Sequence, residues 1–327
     1  RSSDLDVLVI APCTANTLAK IAHGIADNLL TSAVIAAHCP ILIFPAMNEK
    51  MFENPATQEN TKILLNRGIK VIAPSEGDLA CGISGKGRMN EPNEILLEIF
   101  RTLSPEKNLK NKNILITAGP THEYIDPVRF ISNPSSGKMG AAMARAAWYR
   151  GADVKIISGP VEFNSYGFEV IKVKSALEML EAVKKNLSWA DYIVKAAAVG
   201  DYRVKNFSAQ KIKRAASADG QENKNNFTVE LEQNPDIAAE VGKLKRENQI
   251  LIGFAAETQN ISENAREKLA RKNLDFILAN DVAAEGSGFA VDTNTLRLIP
   301  RDESKNEKIY SGLKEDIAFE IWNDVSL

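Results

Sequence analysis

The stretch Thr117–Gly140, TAGPTHEYIDPVRFISNPSSGKMG, joins an apolar run to a helical one. Ile114–Ile116 before it predicts a buried strand, and Ala141–Trp148 after it predicts a helix. Compact connections between a strand and a helix usually have about 2–6 residues, and longer ones are often functional. Small residues ahead of a helix leave backbone N–H groups free to bind an anion, and Lys138 adds a positive charge. We therefore expect a phosphorylated ligand here.

Two well-known phosphate-binding loops do not fit this stretch. A Walker A loop needs Gly-x4-Gly-Lys-Ser/Thr, but Ser132 stands in place of the first glycine and Met139 follows the lysine. A dinucleotide fingerprint needs Gly-x-Gly-x-x-Gly directly after the strand, whereas Gly119 stands alone and Gly137 and Gly140 come too late. This disfavours an NAD-dependent dehydrogenase. A glycine-rich turn that binds nothing is the remaining alternative.

The composition is that of an ordinary soluble globular protein. The 327 residues are 44% hydrophobic and 25% charged, and this length predicts about two domains. A net charge of −2 gives no reason to expect nucleic acid as a partner, and the apolar runs are too short for a membrane span. The three cysteines, Cys13, Cys39 and Cys81, have no paired spacing, which favours the cytoplasm.

A polar turn follows the first strand-like segment. Leu5–Pro12 is rich in Val, Leu and Ile without alternation, which is typical of a parallel strand buried on both faces. The turn precedes a helix predicted over Leu18–His23. Ligands of open α/β sheets bind at the carboxyl ends of the strands. We therefore expect three side chains of the turn to contact a ligand: Thr14, Asn16 and Thr17.

Two more strands are predicted in the first hundred residues, over Ile41–Phe44 and Val71–Pro74. Asp27–Asn28 precedes the apolar run Leu29–Ala37 and is a typical helix cap. The turn Pro45–Asn48 follows the second strand. Small or polar residues thus follow all three strands, which is the layout of one binding crevice.

The segment Ser75–Asn90 is rich in glycine and predicts a mobile flap without a core. Its Cys81 is open to two interpretations. A lone cysteine is more often a small buried apolar residue than a catalyst. A thiol on a flexible loop could instead close over a substrate and deliver a proton.

Two motifs of this first domain resemble the flavin-dependent phosphopantothenoylcysteine decarboxylases: PAMN at Pro45–Asn48 and ACGISGKGRM at Ala80–Met89. The resemblance implies that Asn48 holds the substrate carboxylate and that Cys81 protonates the product of decarboxylation. It also implies bound FMN, which oxidises the substrate thiol and so creates an electron sink for the carboxylate. The FMN contacts that it implies are Thr14, Asn16, Thr17, Asp27 and Asn28.

The start of the chain predicts a fragment. Arg1 is followed almost at once by Leu5–Pro12, which has the character of a central strand, and no signal-peptide pattern precedes it. The catalytic histidine and the glycine-rich FMN-phosphate turn of the decarboxylase family have no counterpart here. We therefore expect decarboxylation by this chain to be impaired.

A polar segment, 105–112, predicts a linker between domains over residues 1–104 and 113–327. After it, strands and helices alternate. The expected fold class is α/β, with two doubly wound Rossmann-like domains of which the first is incomplete. Beyond Asn113–Thr117, strands are predicted over Asp153–Ile157, Tyr192–Val194, Ile250–Phe254 and Asp275–Leu278, and helices over Ala176–Leu187, Asp236–Lys243, Ser262–Lys272 and Leu313–Trp322.

Two clusters of the second domain suit a nucleotide. Ala196–Tyr202 follows a predicted strand with small residues that let a planar base approach the backbone. Asp201 could accept hydrogen bonds from a base amino group, or it could serve as a helix N-cap. Lys211 and Lys213 share one face if the chain is extended. A solvated basic surface is the other interpretation of these lysines.

A third cluster lies on a predicted helix. Lys268 and Lys272 are spaced i,i+4 and repel each other unless an anion lies between them. Alternatively, they are two exposed lysines compensated by Glu263 and Glu267. The three clusters together favour a nucleotide-triphosphate site without a Walker motif.

From Asn113 onward, the chain closely resembles the phosphopantothenate–cysteine ligase family. The fused order of the two domains is that of the bifunctional coenzyme A biosynthesis enzymes. Gly200 stands where that family commonly has alanine. The matching motifs are TAGPT at Thr117–Thr121, DPVR at Asp126–Arg129, ISNPSSGKMG at Ile131–Gly140, AAVGDY at Ala197–Tyr202, KIK at Lys211–Lys213, NPDI at Asn234–Ile237, GFAAET at Gly253–Thr258 and AND at Ala279–Asp281.

The resemblance implies CTP as the nucleotide, with Mg²⁺ bridging its phosphates. The carboxylate of 4′-phosphopantothenate attacks the α-phosphate to give an acyl cytidylate and pyrophosphate, and cysteine then displaces CMP. Asn133 would bind the intermediate, and Lys211 would stabilise charge during attack. The implied nucleotide contacts are Ala197, Asp201, Lys211, Asn234, Pro235, Asp236, Ile237, Phe254, Lys268 and Lys272. The implied contacts of the phosphorylated substrate are Ser135, Ser136, Gly137 and Lys138.

A second class of function stays open at this point. The chain could be a flavin- or nucleotide-binding regulatory protein without catalysis, although Asn133 and Lys211 are both present. The family resemblance further implies a homo-oligomer, with ligase dimers inside a larger assembly.

Overall fold

The computed structural model describes residues 4–78, 84–162, 167–213, 227–257, 261–281 and 291–326. The chain divides into two compact units, Arg1–Pro105 and Glu106–Leu327. Each unit has its own parallel sheet. Within the described ranges, no helix combines the length and the apolar character that a bilayer crossing requires.

The first unit contains a three-stranded parallel sheet in the order β1-β2-β3 and a separate antiparallel pair, β4-β5. Its strands are β1 (Leu8–Cys13), β2 (Ile41–Pro45), β3 (Lys70–Val71), β4 (Ser75–Asp78) and β5 (Ser84–Arg88). Its helices are α1 (Ala15–His23), α2 (Leu29–Ala36), α3 (Glu49–Phe52), α4 (Pro55–Asn66) and α5 (Pro92–Leu103).

Side-chain caps fix where the first helices begin. The Thr14 hydroxyl accepts a hydrogen bond from the Thr17 N–H at the start of α1. Asn28 and Thr31 form a capping box at the start of α2, as the Asp27–Asn28 pattern predicts. Leu18 and Ile21 of α1 are buried in one apolar cluster with Ile10 of β1. This packing holds the amino end of α1 beside the carboxyl end of β1.

The second unit is built on an eight-stranded sheet in the order β10-β9-β6-β11-β14-β15-β16-β17, with two small hairpins, β7-β8 and β12-β13. Its strands are β6 (Asn113–Ala118), β7 (His122–Tyr124), β8 (Phe130–Ser132), β9 (Asp153–Ser158), β10 (Glu169–Lys172), β11 (Tyr192–Lys195), β12 (Tyr202–Val204), β13 (Leu231–Gln233), β14 (Ile250–Glu257), β15 (Phe276–Asp281), β16 (Thr293–Pro300) and β17 (Lys308–Leu313). Its helices are α6 (Lys138–Tyr149), α7 (Ala176–Leu187), α8 (Ile237–Leu244), α9 (Ile261–Arg271) and α10 (Lys314–Val325).

The strand order places a topological switch point between β6 and β11. The six neighbouring strands β10, β9, β6, β11, β14 and β15 are parallel, whereas β16 and β17 are antiparallel additions at one edge. The chain leaves β6 toward β9 and β10, then returns to form β11 on the other side of β6. Ligands of doubly wound sheets bind at such a point, outside the carboxyl ends of the strands.

Both faces of the large sheet are covered. On one face, Leu115, Ile193 and Leu251 from adjacent strands are fully buried in a cluster that includes residues of α7, α8 and α9. On the other, the Trp322 indole of α10 packs edge-on against Tyr192 and donates a hydrogen bond to the Met143 carbonyl of α6 at 3.0 Å. A parallel sheet needs this cover on both sides, which explains its uninterrupted apolar strands.

The predicted α/β fold class is confirmed, and helix α7 has its predicted bounds. Helix α6 begins earlier than predicted, at Lys138. Strand β3 is shorter than predicted, since only Lys70–Val71 pairs with β2. Strands β16 and β17 and all the hairpins were not predicted, because the predicted segments were chosen for continuous apolar runs.

Candidate functional site

A cavity of about 430 Å³ opens at the switch point of the second unit. Its size lies within the range of roughly 300–1,000 Å³ that is usual for small-molecule sites. The segments after β8 and β11, strand β14 itself and the ends of α6, α8 and α9 contribute to its wall. The wall includes these predicted site residues: Asn133, Ser135, Gly137, Lys138, Ala197, Asp201, Asn234, Pro235, Asp236, Ile237, Phe254, Lys268 and Lys272.

One end of the cavity is the amino end of α6. Gly137 is the N-cap, with a left-handed φ of 72° that suits glycine, and Lys138 is the first helical residue. The Lys138 ammonium lies 2.7 Å from the Asp292 carboxylate. This arrangement has the backbone N–H groups and the positive side chain that an anion site needs, and the anion site itself stays a prediction.

The loop after β8 is tied to the loop after β11. The Asn133 amide donates hydrogen bonds to the Val199 carbonyl at 3.2 Å and to the Ala198 carbonyl at 3.4 Å. Ala198 also forms a bridge with Pro120, and its N–H donates to the Gly119 carbonyl at 2.9 Å. The Asn133 side chain therefore lies where the two halves of the sheet separate.

The loop after β11 is held by side chains of its neighbours. The Gly200 N–H donates to the Thr121 hydroxyl at 3.0 Å, and the Gly200 carbonyl accepts from the Asn234 amide at 2.8 Å. Asp201 is exposed at the cavity, and strand β12 follows it directly. The alternative that Asp201 is a helix N-cap is therefore wrong.

Another part of the cavity wall, contributed by α8 and the end of α9, is basic. Lys268 and Lys272 both lie in its wall, and the Lys272 ammonium lies 2.9 Å from the Asp236 carboxylate. Asp236 is the N-cap of α8 and accepts from the Ala239 N–H at 3.1 Å. Glu267 pairs with Arg271 at 3.7 Å.

Lys211 and Ser136 are not part of the cavity wall within the described residues. The segment of Lys211 is held in place by two side chains beyond β7. The buried Asp126 carboxylate accepts from the Ile212 N–H at 3.2 Å, and Arg129 donates to the Ile212 carbonyl at 2.6 Å. Burial alone would raise the pKa of Asp126, but hydrogen bonds from Arg129 and from backbone N–H groups hold it well below its usual range.

Three buried polar residues of the cavity wall were missed in the sequence: Lys195, Asn294 and Lys314. All three are more than nine-tenths buried. A charged residue at the end of a buried strand was a usable signal for Lys195, since it directly follows the predicted Tyr192–Val194. Asn294 belongs to the unpredicted strand β16, whereas Lys314 is the first residue of helix α10; no motif marks either residue.

In the first unit, the carboxyl ends of β1 and β2 meet, and the Ala46 N–H donates to the Cys13 carbonyl at 2.9 Å. Asn16 is exposed beside this edge, at the start of α1. Thr14 and Thr17 share a hydrogen bond of 3.1 Å between their hydroxyls.

The other predicted residues of this unit have local partners. Asp27 pairs with Lys20 at 2.5 Å and accepts from the Asn28 amide at 3.0 Å. Asn48 caps the short helix α3 through the Lys50 N–H. The predicted catalytic Cys81 lies outside the described residues.

Fold and site together define a two-domain α/β protein whose second domain has a cavity lined by a helix amino end and by lysines at its switch point. Family models agree with this division. The flavoprotein model matches residues 1–104, and the model of the DNA/pantothenate metabolism flavoprotein C-terminal domain matches residues 109–327. The chain belongs to the family of coenzyme A biosynthesis bifunctional proteins, enzymes that join phosphopantothenoylcysteine decarboxylase and phosphopantothenate–cysteine ligase activities. The family expected from the sequence motifs is thus confirmed.

Individual relatives cover most of the chain. The coenzyme A biosynthesis bifunctional protein CoaBC of Bacillus subtilis (strain 168) is 46% identical over 326 residues, which is 98% of this chain and 78% of the relative. A cysteine/cysteine sulfinic acid decarboxylase of an unknown prokaryotic organism is 45% identical over 323 residues, or 97% of this chain and 87% of the relative. The crystal structure of the C-terminal domain of a CoaBC protein covers 68% of this chain and 97% of its own, with 37% identity and a TM-score of 0.54.

Proposed function

We propose that the cavity of the second unit is the site where CTP activates 4′-phosphopantothenate for ligation to cysteine. The observation that carries this proposal is the positive charge of the cavity wall, to which the amino end of α6 with Lys138 contributes one group and Lys268 and Lys272 contribute another. Two anionic groups on separate ligands suit two positive groups in one cavity wall. The carboxylate and the α-phosphate would then meet between them.

In this proposal, each positive group of the cavity wall binds one substrate. The amino end of α6, with Ser135, Ser136, Gly137 and Lys138, holds the phosphate of 4′-phosphopantothenate. Ala197 and the Phe254 ring hold the cytosine and ribose, with Asn234 to Ile237 beside them. Asp201 is an exposed carboxylate that can accept from the cytosine amino group.

Asn133 and Lys211 act on the reacting groups. The Asn133 amide already bridges two loops at the centre of the cavity, so a carbonyl of the acyl cytidylate can replace its loop partners. Lys211 lies on the segment held by Asp126 and Arg129, and we propose that its ammonium reaches the α-phosphate and stabilises the charge that develops there.

Mg²⁺ fits this cavity as an ion carried by the triphosphate. The described residues contain no group of three or more His, Cys, Asp or Glu side chains placed to hold a metal ion. Mg²⁺ commonly keeps its waters and binds substrate phosphates with one or two carboxylates. The ion would neutralise phosphate charge during transfer.

The test is pyrophosphate release from CTP with Mg²⁺ and 4′-phosphopantothenate, with and without cysteine. We expect release to need both substrates and to fall strongly in Asn133→Ala and Lys211→Ala. Lys243→Met, an exposed change on α8, is the control expected to keep wild-type activity. A folded sample that releases no pyrophosphate with CTP or ATP would favour the regulatory binding protein instead.

For the first unit we propose FMN at the carboxyl edge of β1 and β2. The residues present fit this group in part. Asn16 is exposed there, but the oxygens of Thr14 and Asn28 accept hydrogen bonds from helix N–H groups. When bound, FMN supplies the oxidation that gives the substrate carboxylate an electron sink. Asn48 would hold that carboxylate, and Cys81 would protonate the product.

FMN binding is tested by adding FMN to the protein and measuring the change in the flavin absorbance bands. We expect Asn16→Ala to weaken FMN binding. CO₂ release tests the substrate, with 4′-phosphopantothenoylcysteine in one arm and free cysteine in the other. Release from cysteine alone would assign this unit the activity named for the cysteine/cysteine sulfinic acid decarboxylase relative. The enzyme is further proposed to work as a homo-oligomer, which its sedimentation would test.

A further inference from the structure

Lys195 is a buried cation at the floor of the cavity. It is the last residue of β11, two positions after the fully buried Ile193, so its side chain leaves the sheet on the same face. Its side chain is only 8% exposed and lies in the cavity wall. Its ammonium donates a hydrogen bond to the Thr117 hydroxyl at 3.2 Å. Thr117 in turn accepts from the Ala197 N–H at 3.3 Å.

The groups around Lys195 do not neutralise its charge. In the part of the chain that the structure describes, no carboxylate oxygen lies within 4.0 Å of its ammonium. Asp236 at the start of α8 is the attractive charge, but it is paired with Lys272 at the end of α9. Lys268 on α9 is a further positive group of the same wall. Adjacent strand β14 presents Gly253 opposite Lys195, which adds no charge.

Burial and its neighbours decide the protonation state of this amine. Burial lowers the pKa of Lys195 to about 7, with Asp236 acting to raise it and Lys272 to lower it. The amine is therefore partly neutral at neutral pH in the protein without ligand. An anion within a few ångströms favours the charged form of an amine and raises its pKa.

We propose that Lys195 is a further nucleotide-binding residue of this cavity, and that its amine takes up a proton when the triphosphate binds. The inference rests on the proposed function. A suitable group at this buried position is neutral without ligand, so that it has little desolvation cost, and becomes a cation when the phosphate binds. A buried amine beside a threonine hydroxyl meets both conditions, whereas a permanently charged group would bear the desolvation cost in both states.

The direction of the proton linkage follows from the two states. At pH 6 the amine is charged with or without ligand, so binding takes up almost no proton. At pH 8 the free protein holds it mostly neutral and the complex holds it charged, so binding takes up close to one proton. Above about pH 7, the affinity for the triphosphate therefore falls as pH rises, by up to about tenfold for each pH unit, because binding has to take up a proton.

The experiment is titration calorimetry of the full chain with CTP and MgCl₂ at pH 6 and pH 8. Each titration is done in two buffers of different ionisation enthalpy, which gives the number of protons taken up. Lys195→Arg keeps a charge that does not titrate, and Lys195→Met removes it. Lys243→Met, an exposed lysine with 73% of its side chain accessible, is the matched control.

We expect the wild type and Lys243→Met to take up close to one proton at pH 8. Lys195→Arg should bind CTP at pH 8 with almost none, and Lys195→Met should bind at least tenfold more weakly. If circular dichroism shows that Lys195→Met is unfolded, the arginine variant alone decides. Wild-type proton uptake in Lys195→Arg, or no uptake in the wild type, would overturn the proposal. A folded wild type that binds no CTP would instead refute the proposed function, and this inference with it.

Discussion

Gly140 lies in the first turn of α6, where the helix touches strand β6. A Cβ atom at this position would lie 2.5 Å from the Cβ of Ala118 and 3.3 Å from its Cα. Carbon atoms make contact at about 3.5–4.0 Å, so the Gly140→Ala clash is about 1 Å deep. Both atoms are fixed to backbone, and neither can rotate away. The amino end of α6 therefore has to move off β6 by about 1 Å.

The free energy of unfolding should fall as a result. Overpacking of this kind costs about 1–3 kcal/mol, and a contact this short belongs at the upper end. Alanine is better than glycine in a helix by roughly 1 kcal/mol, which offsets part of the cost. The net loss for Gly140→Ala is about 1–2 kcal/mol. For a unit of this size, that lowers the melting temperature by about 2–8 °C.

The same movement displaces Gly137 and Lys138, which hold the proposed phosphate site. A misplacement of about 1 Å can cost on the order of 10²-fold in rate, and we expect the loss mainly as a higher KM for 4′-phosphopantothenate. Gly200→Ala is the matched control. Its Cβ would meet its nearest atom, the Tyr202 carbonyl oxygen, at 3.4 Å, an ordinary contact. It should keep activity and gain about 0.4–1 kcal/mol. If Gly140→Ala has the melting temperature and the KM of the wild type, close packing of α6 on β6 does not position the site, which refutes this prediction.

Two further changes test the carboxylates around the cavity. Asp126→Asn removes the charge that holds the backbone of Ile212, next to Lys211. The value of kcat for pyrophosphate release should fall about tenfold, whereas calorimetry should find an unchanged affinity for CTP. Equal losses in kcat and in affinity would contradict a positioning role for Asp126. Burial alone would raise the pKa of Asp236, but the Lys272 hydrogen bond and the α8 N–H groups lower it below its ordinary 3.8. Its stabilising effect is therefore present above about pH 4 and lost as pH falls through the lowered pKa. Circular dichroism in acid should give Asp236→Asn a shallower loss of stability than the wild type, and equal slopes would count against the ion pair.

The parallel core of the second unit was predictable from its sequence because both faces of its strands are covered. Strands such as β6 and β11 then consist of consecutive apolar residues, which are easy to recognise. Strand β16 has one polar residue for almost every apolar one, with buried Leu296 and Leu298 alternating with partly exposed neighbours. That alternation is typical of a half-buried β-strand, but an expectation built on apolar runs passes over it.

The candidate site was predictable where its chemistry lies on one short segment. The cavity position of Gly137 and Lys138 follows from local sequence alone, because a glycine turn and a helix start are both local features. Lys195 could not be assigned in the same way. Its burial and its distance from any carboxylate depend on which strands lie beside β11, and strand order is set by the whole domain.

The unpredicted edge strands explain why Asn294 and Lys314 line the same cavity as the motif residues. Strand β16 runs antiparallel to β15, so its amino end lies at the sheet edge where the parallel strands have their carboxyl ends. This places Asn294 at the cavity. Strand β17 reverses direction again, and its last residue, Leu313, pairs with Thr293 at the same edge. Helix α10 therefore begins at the cavity with Lys314, whose ammonium donates to the Val291 carbonyl. Two antiparallel additions thus bring one buried amide and one buried amine to a site that the six parallel strands would otherwise leave open on that side.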